Sequence, residues 1–308
     1  MVVAPARQVR SMSSASLDIE QCSRDSFFLL TRSSGKSYRL RFVNAAINTH
    51  FKFMLDNHTV TVISSDFIPV KPYDTKVVDI AIGQHLHPHN IRAIVHYGKQ
   101  PSTPKTKGYP YEDKCQDEQD LSPWFVREAR KPNITVPLTA SLMKVGDEFK
   151  WFVNSTTFVS DWSDPTLLQL VDKVPSFKPS TNVIENLSPI PHPIHLHGHD
   201  FAVIAQATGN FSDEEAITAL SRANPPRRDT ATLPALGHIV MAIRTTNPGA
   251  WLMHCHIGWH TSEGFGLQIL ERAQDIPAVL DTERLRRECR DWKAYQNKFY
   301  VEQRDSGI

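Results

Sequence analysis

Apolar and polar residues alternate in short runs along most of this chain, the two-residue period of strands with one buried face. Tyr38, Leu40 and Phe42 alternate with Arg39 and Arg41, and Phe51, Phe53 and Leu55 repeat the pattern. Asp56-Asn57 then leads into Val60 and Val62, which predicts a hairpin between the two runs. Residues 77–82 and 91–97 are further strands. In the second half, strands are expected over 149–153, 201–205, 239–244, 251–255 and 265–270. Many short strands with turn signals between them predict an all-β chain of packed sandwiches. Two stretches break the period. Ser212 followed by Glu215 reads as a capping box opening a helix over 213–223. Residues 281–300 set Leu285, Trp292 and Tyr295 among charges, the pattern of a closing amphipathic helix. Residues 101–120, rich in Lys, Pro and polar side chains, read as a linker between two domains.

The 308 residues leave room for those two domains. A net charge of +1 offers no basic face, so no nucleic-acid partner is expected. No apolar run reaches the length of a membrane span. Residues 1–16 are rich in Ser, Ala and Arg without an apolar core, so no signal peptide is read in the chain as written. Against that stand five Asn-X-Ser/Thr sequons, at Asn57, Asn133, Asn154, Asn186 and Asn210, which lean toward a secreted glycoprotein. Four cysteines, Cys22, Cys115, Cys255 and Cys289, are too few for a disulfide scaffold.

Fourteen histidines are present, and their clustering matters more than their number. One cluster is His192-Pro193-Ile194-His195-Leu196-His197-Gly198-His199; the other is His254-Cys255-His256, followed by His260. In an extended strand His254 and His256 share one face and Cys255 points to the other. Metals on the two sides would then be joined through the peptide bonds next to Cys255. His260 lies beyond an expected loop and can return to the Cys255 side. His195 and His197 share a face, while His192, behind a proline bend, can aim elsewhere. One thiolate with two imidazoles is the blue-copper ligand set. Either cluster alone could be a zinc site or a chance tract; the two together, each in a strand-like context, favour copper.

Residues 192–201 and 251–267 resemble the two C-terminal copper signatures of multicopper oxidases. The stretches Asn224-Pro225-Pro226-Arg227-Arg228-Asp229-Thr230 and Asn247-Pro248-Gly249-Ala250-Trp251 resemble fungal laccases of the ascomycete branch, and Asp305-Ser306-Gly307-Ile308 resembles that branch's C-terminal plug. The similarity covers most of residues 36–308. It implies about two cupredoxin-like Greek-key β-sandwiches, the first incomplete, with a short C-terminal helix. Residues 1–34 would be a partly disordered N-terminal segment. Residues 35–115 would be an incomplete second cupredoxin domain of a laccase, 116–275 the C-terminal cupredoxin domain, and 276–308 the helix and plug-like tail. The resemblance implies type 1 copper on His192, Cys255 and His260, with Phe265 at a non-ligating axial position. It puts type 2 copper on His195 and the type 3 pair on His197, His254 and His256. Cys255, His254 and His256 would be the catalytic residues that carry electrons between the sites. The family oxidises small phenols and aromatic amines one electron at a time and reduces dioxygen to water; a secreted monomer is implied.

The family's cluster takes eight histidines, four of them from His-Trp-His-Gly and His-Ser-His motifs of an N-terminal domain. Neither motif occurs in this chain. Two expectations follow: a laccase-like oxidase that needs the other ligands, or a type 1 copper-only electron-transfer or inactive fragment. The tract His85-Leu86-His87-Pro88-His89 sits where a stretch of the family is missing and is not expected to replace them. Relatives imply partners for Cys115 and Cys289 in absent stretches, and Cys22 would be a free thiol. Asn48 falls where relatives often place an acidic residue that takes the phenolic proton. An amide cannot act as that base, so Asn48 is a loop residue or a mark of altered substrate preference. Ascorbate oxidase and ferroxidase activities are the related alternatives; the second needs acidic residues beside His192 or His260.

Overall fold

The computed structural model describes residues 2–4, 13–14, 28–32, 35–81, 85–86, 93–97, 105–112, 117–118, 120–129, 135–172, 182–211 and 223–308. Short strands dominate, as the alternation predicts. The second half builds two sheets. One runs Glu148–Val153, Val136–Val145, Asn182–Asn186, Gly237–Ala242, Phe201–Thr208, Arg227–Arg228. The other runs Thr230–Leu233, His192–Leu196, Gly249–Cys255, Gly266–Glu271. Both feed one core, with Trp151, Ile184, Phe201, Ile239 and Met241 from the first sheet and Ile194, Leu196, Leu233, Met253 and Cys255 from the second. In Gly237–Ala242 every second residue is buried, the period that made the strand legible. Each large side chain taken into this core contributes roughly 1.5–3 kcal/mol.

The closing helix is Thr282–Phe299, as expected over 281–300. Asp281 caps it by accepting from the Arg284 N–H at 3.0 Å, and Tyr300 ends it in the left-handed region. A helix at Thr166–Asp172 carries no sequence signal noted above and is tied to it by Arg286 and Asp172 at 2.7 Å. The helix expected over 213–223 lies, except for residue 223, outside the described residues, as do Cys22, Cys115 and residues 87–89. No described helix is long and apolar enough to cross a membrane.

The first half has its own small core, Val60, Val62, Val70, Val78 and Leu121. Its expected hairpin between residues 51–55 and 60–62 does not form. The strand Thr49–Met54 pairs with Val77–Ile80, whereas Val60–Ser65 pairs with Ile68–Thr75 in another sheet. Asp56-Asn57 does turn, with the His58 N–H on the Leu55 carbonyl at 3.0 Å, but the chain crosses between sheets there. The true hairpin turns at Asp66-Phe67, with φ of 45° and 65°. Non-glycine residues rarely adopt that region, and Phe67 least of all by its type, so the second turn position carries no sequence signal. Asp66 then reaches the second half. Its carboxylate meets buried Arg228 at 3.1 Å, and Arg228 also faces Asp117 at 3.5 Å. Asp117 accepts from Thr232 N, Thr232 Oγ1 and Gln206 Nε2, each at 2.8 Å. This network clamps the chain on both sides of Asp229 and Thr230, which hold His195.

Candidate metal centre

The strand His192–Leu196 lies beside Gly249–Cys255 in antiparallel register, Ile194 opposite Cys255 and His195 opposite His254. Residues opposite each other across a ladder share a face. His195 and His254 therefore occupy one face, and Ile194 and Cys255 the other. The same parity puts His192 on the Cys255 face. No proline bend is needed to turn it, which corrects the sequence expectation. The segment between Cys255 and His260 is not a plain loop either. Gly258–Ser262 is a helical turn that folds His260 back, and the Phe265 N–H holds the His260 carbonyl at 2.8 Å. The next turn packs on the Glu148–Val153 strand, where the Trp151 N–H donates to the Glu263 carbonyl at 2.9 Å. Gly264, at φ +95°, is required there: a Cβ would lie 1.9 Å from Thr157 Oγ1.

His192, Cys255 and His260 converge in the core, with relative exposures of 0%, 0% and 8%. Cys255 Sγ is 3.7 Å from His192 Nδ1 and 3.5 Å from His260 Nδ1, and the two nitrogens are 3.2 Å apart. Trp151 covers both imidazoles, with ring centroids 4.6 and 4.8 Å away. Phe265 stacks on Trp151 at 4.9 Å and stands edge-on to His192 at 5.0 Å, offering only carbon. His192 Nε2 faces Ser188 Oγ at 2.8 Å.

Burial sets the protonation of this trio. It pushes His192 down to about 2, helped by neighbouring His260, and His260 down to about 4. It pushes the Cys255 thiol well up, so the metal-free site is neutral and uptake of a metal must release the thiol proton. These shifts give stability a pH dependence. Both histidines titrate below their unfolded value, so between about pH 4 and 6.5 the unfolded chain binds more protons. Stability of the metal-free chain should decrease as the pH is lowered across that window, by up to roughly 1.4 kcal/mol per unit for each fully buried histidine. Thermal melts at pH 7 and pH 4.5 would show it; a melting temperature unchanged or higher at pH 4.5 would contradict neutral buried imidazoles.

On the opposite face, ring nitrogens of His195, His197 and His254 lie within 4.8 Å of one another. His197 Nε2 and His254 Nε2 are 3.2 Å apart. His195 Nδ1–H donates to the Asp229 carbonyl at 2.7 Å and His254 Nδ1–H to the Cys255 carbonyl at 2.9 Å, which leaves Nε2 of each unprotonated. Burial lowers His254 to about 4. His256 stands at the edge, its ring 5.6 Å from His254 and 5.7 Å from His195, and outside the three-nitrogen cluster. The Cys255 carbonyl thus joins the two faces by a hydrogen bond as well as through the chain.

Half-buried Asn48 follows Ile47, whose carbonyl accepts from the Gly258 N–H at 3.2 Å. That places Asn48 beside the turn carrying His260. Among the described sequons, Asn57, Asn154 and Asn210 are exposed, whereas Asn186 is buried at 3%. Sequence reading took Asn186-Leu187-Ser188 only as a glycan acceptor and missed the contact of Ser188 with His192. The available signal was a hydroxyl four residues before a candidate ligand.

Two stretches match family models described as multicopper oxidase, over residues 11–87 and 162–275. The chain is 33% identical to Laccase-2 of Botryotinia fuckeliana over 96% of its own length and 59% of that protein. It is 32% identical to a laccase of Neurospora crassa, over 85% of this chain and 52% of the relative. A crystal structure of a laccase from Botrytis aclada matches with a TM-score of 0.84 at 33% identity, covering 92% of this chain and 60% of that one. The chain spans less than two thirds of the length of each of these relatives.

Proposed function

Because the chain belongs to the multicopper oxidase family, we propose that it is a laccase-like copper oxidoreductase in which electrons from small phenols or aromatic amines enter at His192, Cys255 and His260. One observation carries this reading: Cys255 lies in a buried nitrogen–sulfur trio on one sheet face, while adjacent His254 lies in an imidazole cluster on the other. The trio suits copper. Nitrogen and sulfur donors at roughly 2.0–2.3 Å from an ion in a trigonal array are about 3.5–4 Å apart, close to the spacing found. A structural zinc would want a fourth protein ligand, and the described group has three donors with Phe265 and Trp151 beside it. Copper bound there would supply one-electron redox chemistry.

The chain's own residues do the rest. Cys255 and the two Nδ1 atoms would hold the ion. Trp151 and Phe265 exclude water and offer no donor to the site, a setting that favours a high potential. His195, His197, His254 and His256 would contribute ring nitrogens to the cluster at which dioxygen is reduced. The hydrogen-bond and ring contacts found for His192 and His260 come from Ser188, Cys255, Trp151 and Phe265, none of them acidic. This favours an organic reductant over a metal ion. Asn48, next to the residue that contacts the His260 turn, could orient a phenol by hydrogen bonding without taking its proton. Two separate buried cores support a first cupredoxin unit over 35–115 and a second over 116–275, although Leu121 packs with the first. Exposed Asn57, Asn154 and Asn210 suit a secreted glycoprotein.

A second reading, electron transfer through a type 1 centre alone, is favoured by the exposure of His197 on the imidazole face. Copper-loaded chain mixed with a phenol decides the matter. Bleaching of its visible band with oxygen uptake supports the oxidase. Bleaching without uptake supports the electron-transfer reading. A band that phenols cannot bleach contradicts both.

A further inference from the structure

We propose that Ser188, held in place by Asn186, is a positioning residue that fixes the His192 imidazole with its Nδ1 lone pair facing Cys255. The inference rests on the reading of His192 as a copper ligand and explains what keeps that ligand in the binding tautomer.

The hydrogen-bond chain leaves one consistent assignment. Asn186 Nδ2 donates to the Ile190 carbonyl at 2.7 Å and the Pro234 carbonyl at 2.8 Å, so the amide cannot be flipped. Its Oδ1 accepts from the Ser188 N–H at 2.9 Å and lies 2.8 Å from Ser188 Oγ. An oxygen so placed must accept, so the single hydroxyl proton of Ser188 goes to Asn186, with the Ile190 carbonyl a weaker alternative at 3.2 Å. The Ser188 oxygen then has only lone pairs for His192 Nε2, 2.8 Å away. His192 must be the donor, protonated on Nε2 and bare on Nδ1. Asn186, Ser188 and His192 have exposures of 3%, 8% and 0%, so water does not substitute for any link. A partner on the far nitrogen of a ligand histidine sets both its tautomer and its ring orientation.

The same geometry removes Asn186 from the glycan acceptors. Its amide nitrogen is buried and committed to two carbonyls, and a sugar would displace both. The tripeptide that reads as a sequon is thus a support for the metal centre.

The test uses the whole 308-residue chain. With copper alone as probe, Ser188→Ala should weaken binding about 10–100-fold and shift the reduction potential of the blue centre. Ser188→Thr, which keeps the hydroxyl, should restore both. Equal affinity and potential in Ser188→Ala and the parent would overturn the proposal. Should Ser188→Ala not fold, nitrogen NMR of the metal-free parent decides, with the His192 signal assigned by its loss in His192→Gln. A proton on Nε2 upholds the chain of hydrogen bonds, and a proton on Nδ1 overturns it. If the parent binds copper without turning blue, the copper reading fails, and the tautomer still tells whether Ser188 positions His192.

Discussion

Cys255→Ser should abolish the intense visible band of the copper-loaded chain while leaving most of its stability intact. The band belongs to a thiolate bound to copper, and a serine oxygen is neither soft nor readily ionised. Cys255 is fully buried in the second-half core, at 0% exposure. A hydroxyl placed there costs about 1–3 kcal/mol if it lacks a good partner. That is a moderate loss for a domain of this size, so a folded, colourless protein is expected. Absorbance after addition of copper, read beside a thermal melt of the metal-free variant, separates the two effects. A Cys255→Ser variant that stays blue would remove Cys255 from the ligand set.

Trp151→Ala should be the most destabilising single truncation in the second half, at about 3–5 kcal/mol. The side chain is 1% exposed and packs against His192, His260 and Phe265 together. Removing it opens a cavity lined by two candidate ligands, and these neighbours are fixed by strand register and the Gly258–Ser262 turn. The backbone bond from Trp151 to Glu263 survives the substitution, so the loss reflects packing alone. Denaturant unfolding measures it. Trp151→Phe should cost much less, since a ring remains between the imidazoles. A loss below about 1 kcal/mol for the alanine variant would mean that the site collapses and that Trp151 does not hold the trio apart.

Much of this site was legible because strand alternation is a strict rule. His254 and Cys255 could be divided between two faces from order alone, and the pairing of His195 with His254 and of Ile194 with Cys255 agrees with it; the strand ends at Cys255, so His256 escapes the rule and stands at the edge of the cluster. His192 follows the same parity, because Pro193 sits within the regular strand instead of bending it. The closing helix was readable because Leu285 and Trp292 recur at helical spacing among charges, although Tyr295 proves exposed and the buried residue between them is Cys289. The Asp66-Phe67 hairpin was not, because its turn uses left-handed backbone without glycine or asparagine. Contacts between distant residues were also hidden. Nothing local links Arg228 to Asp66 and Asp117, and nothing in Asn186-Leu187-Ser188 distinguishes a glycan acceptor from a buried hydrogen-bond chain. Local patterns report which way a side chain faces; what it meets there depends on the packing of the whole fold.

On the proposed function, His192, Cys255 and His260 would form a complete type 1 copper site within this chain. Titrating copper into the metal-free protein while recording visible absorbance tests it most directly. An intense band that saturates at about one copper per chain, and that vanishes in His260→Ala, is the expected result. Copper that binds without the band, or a band that survives His260→Ala at full strength, would contradict it.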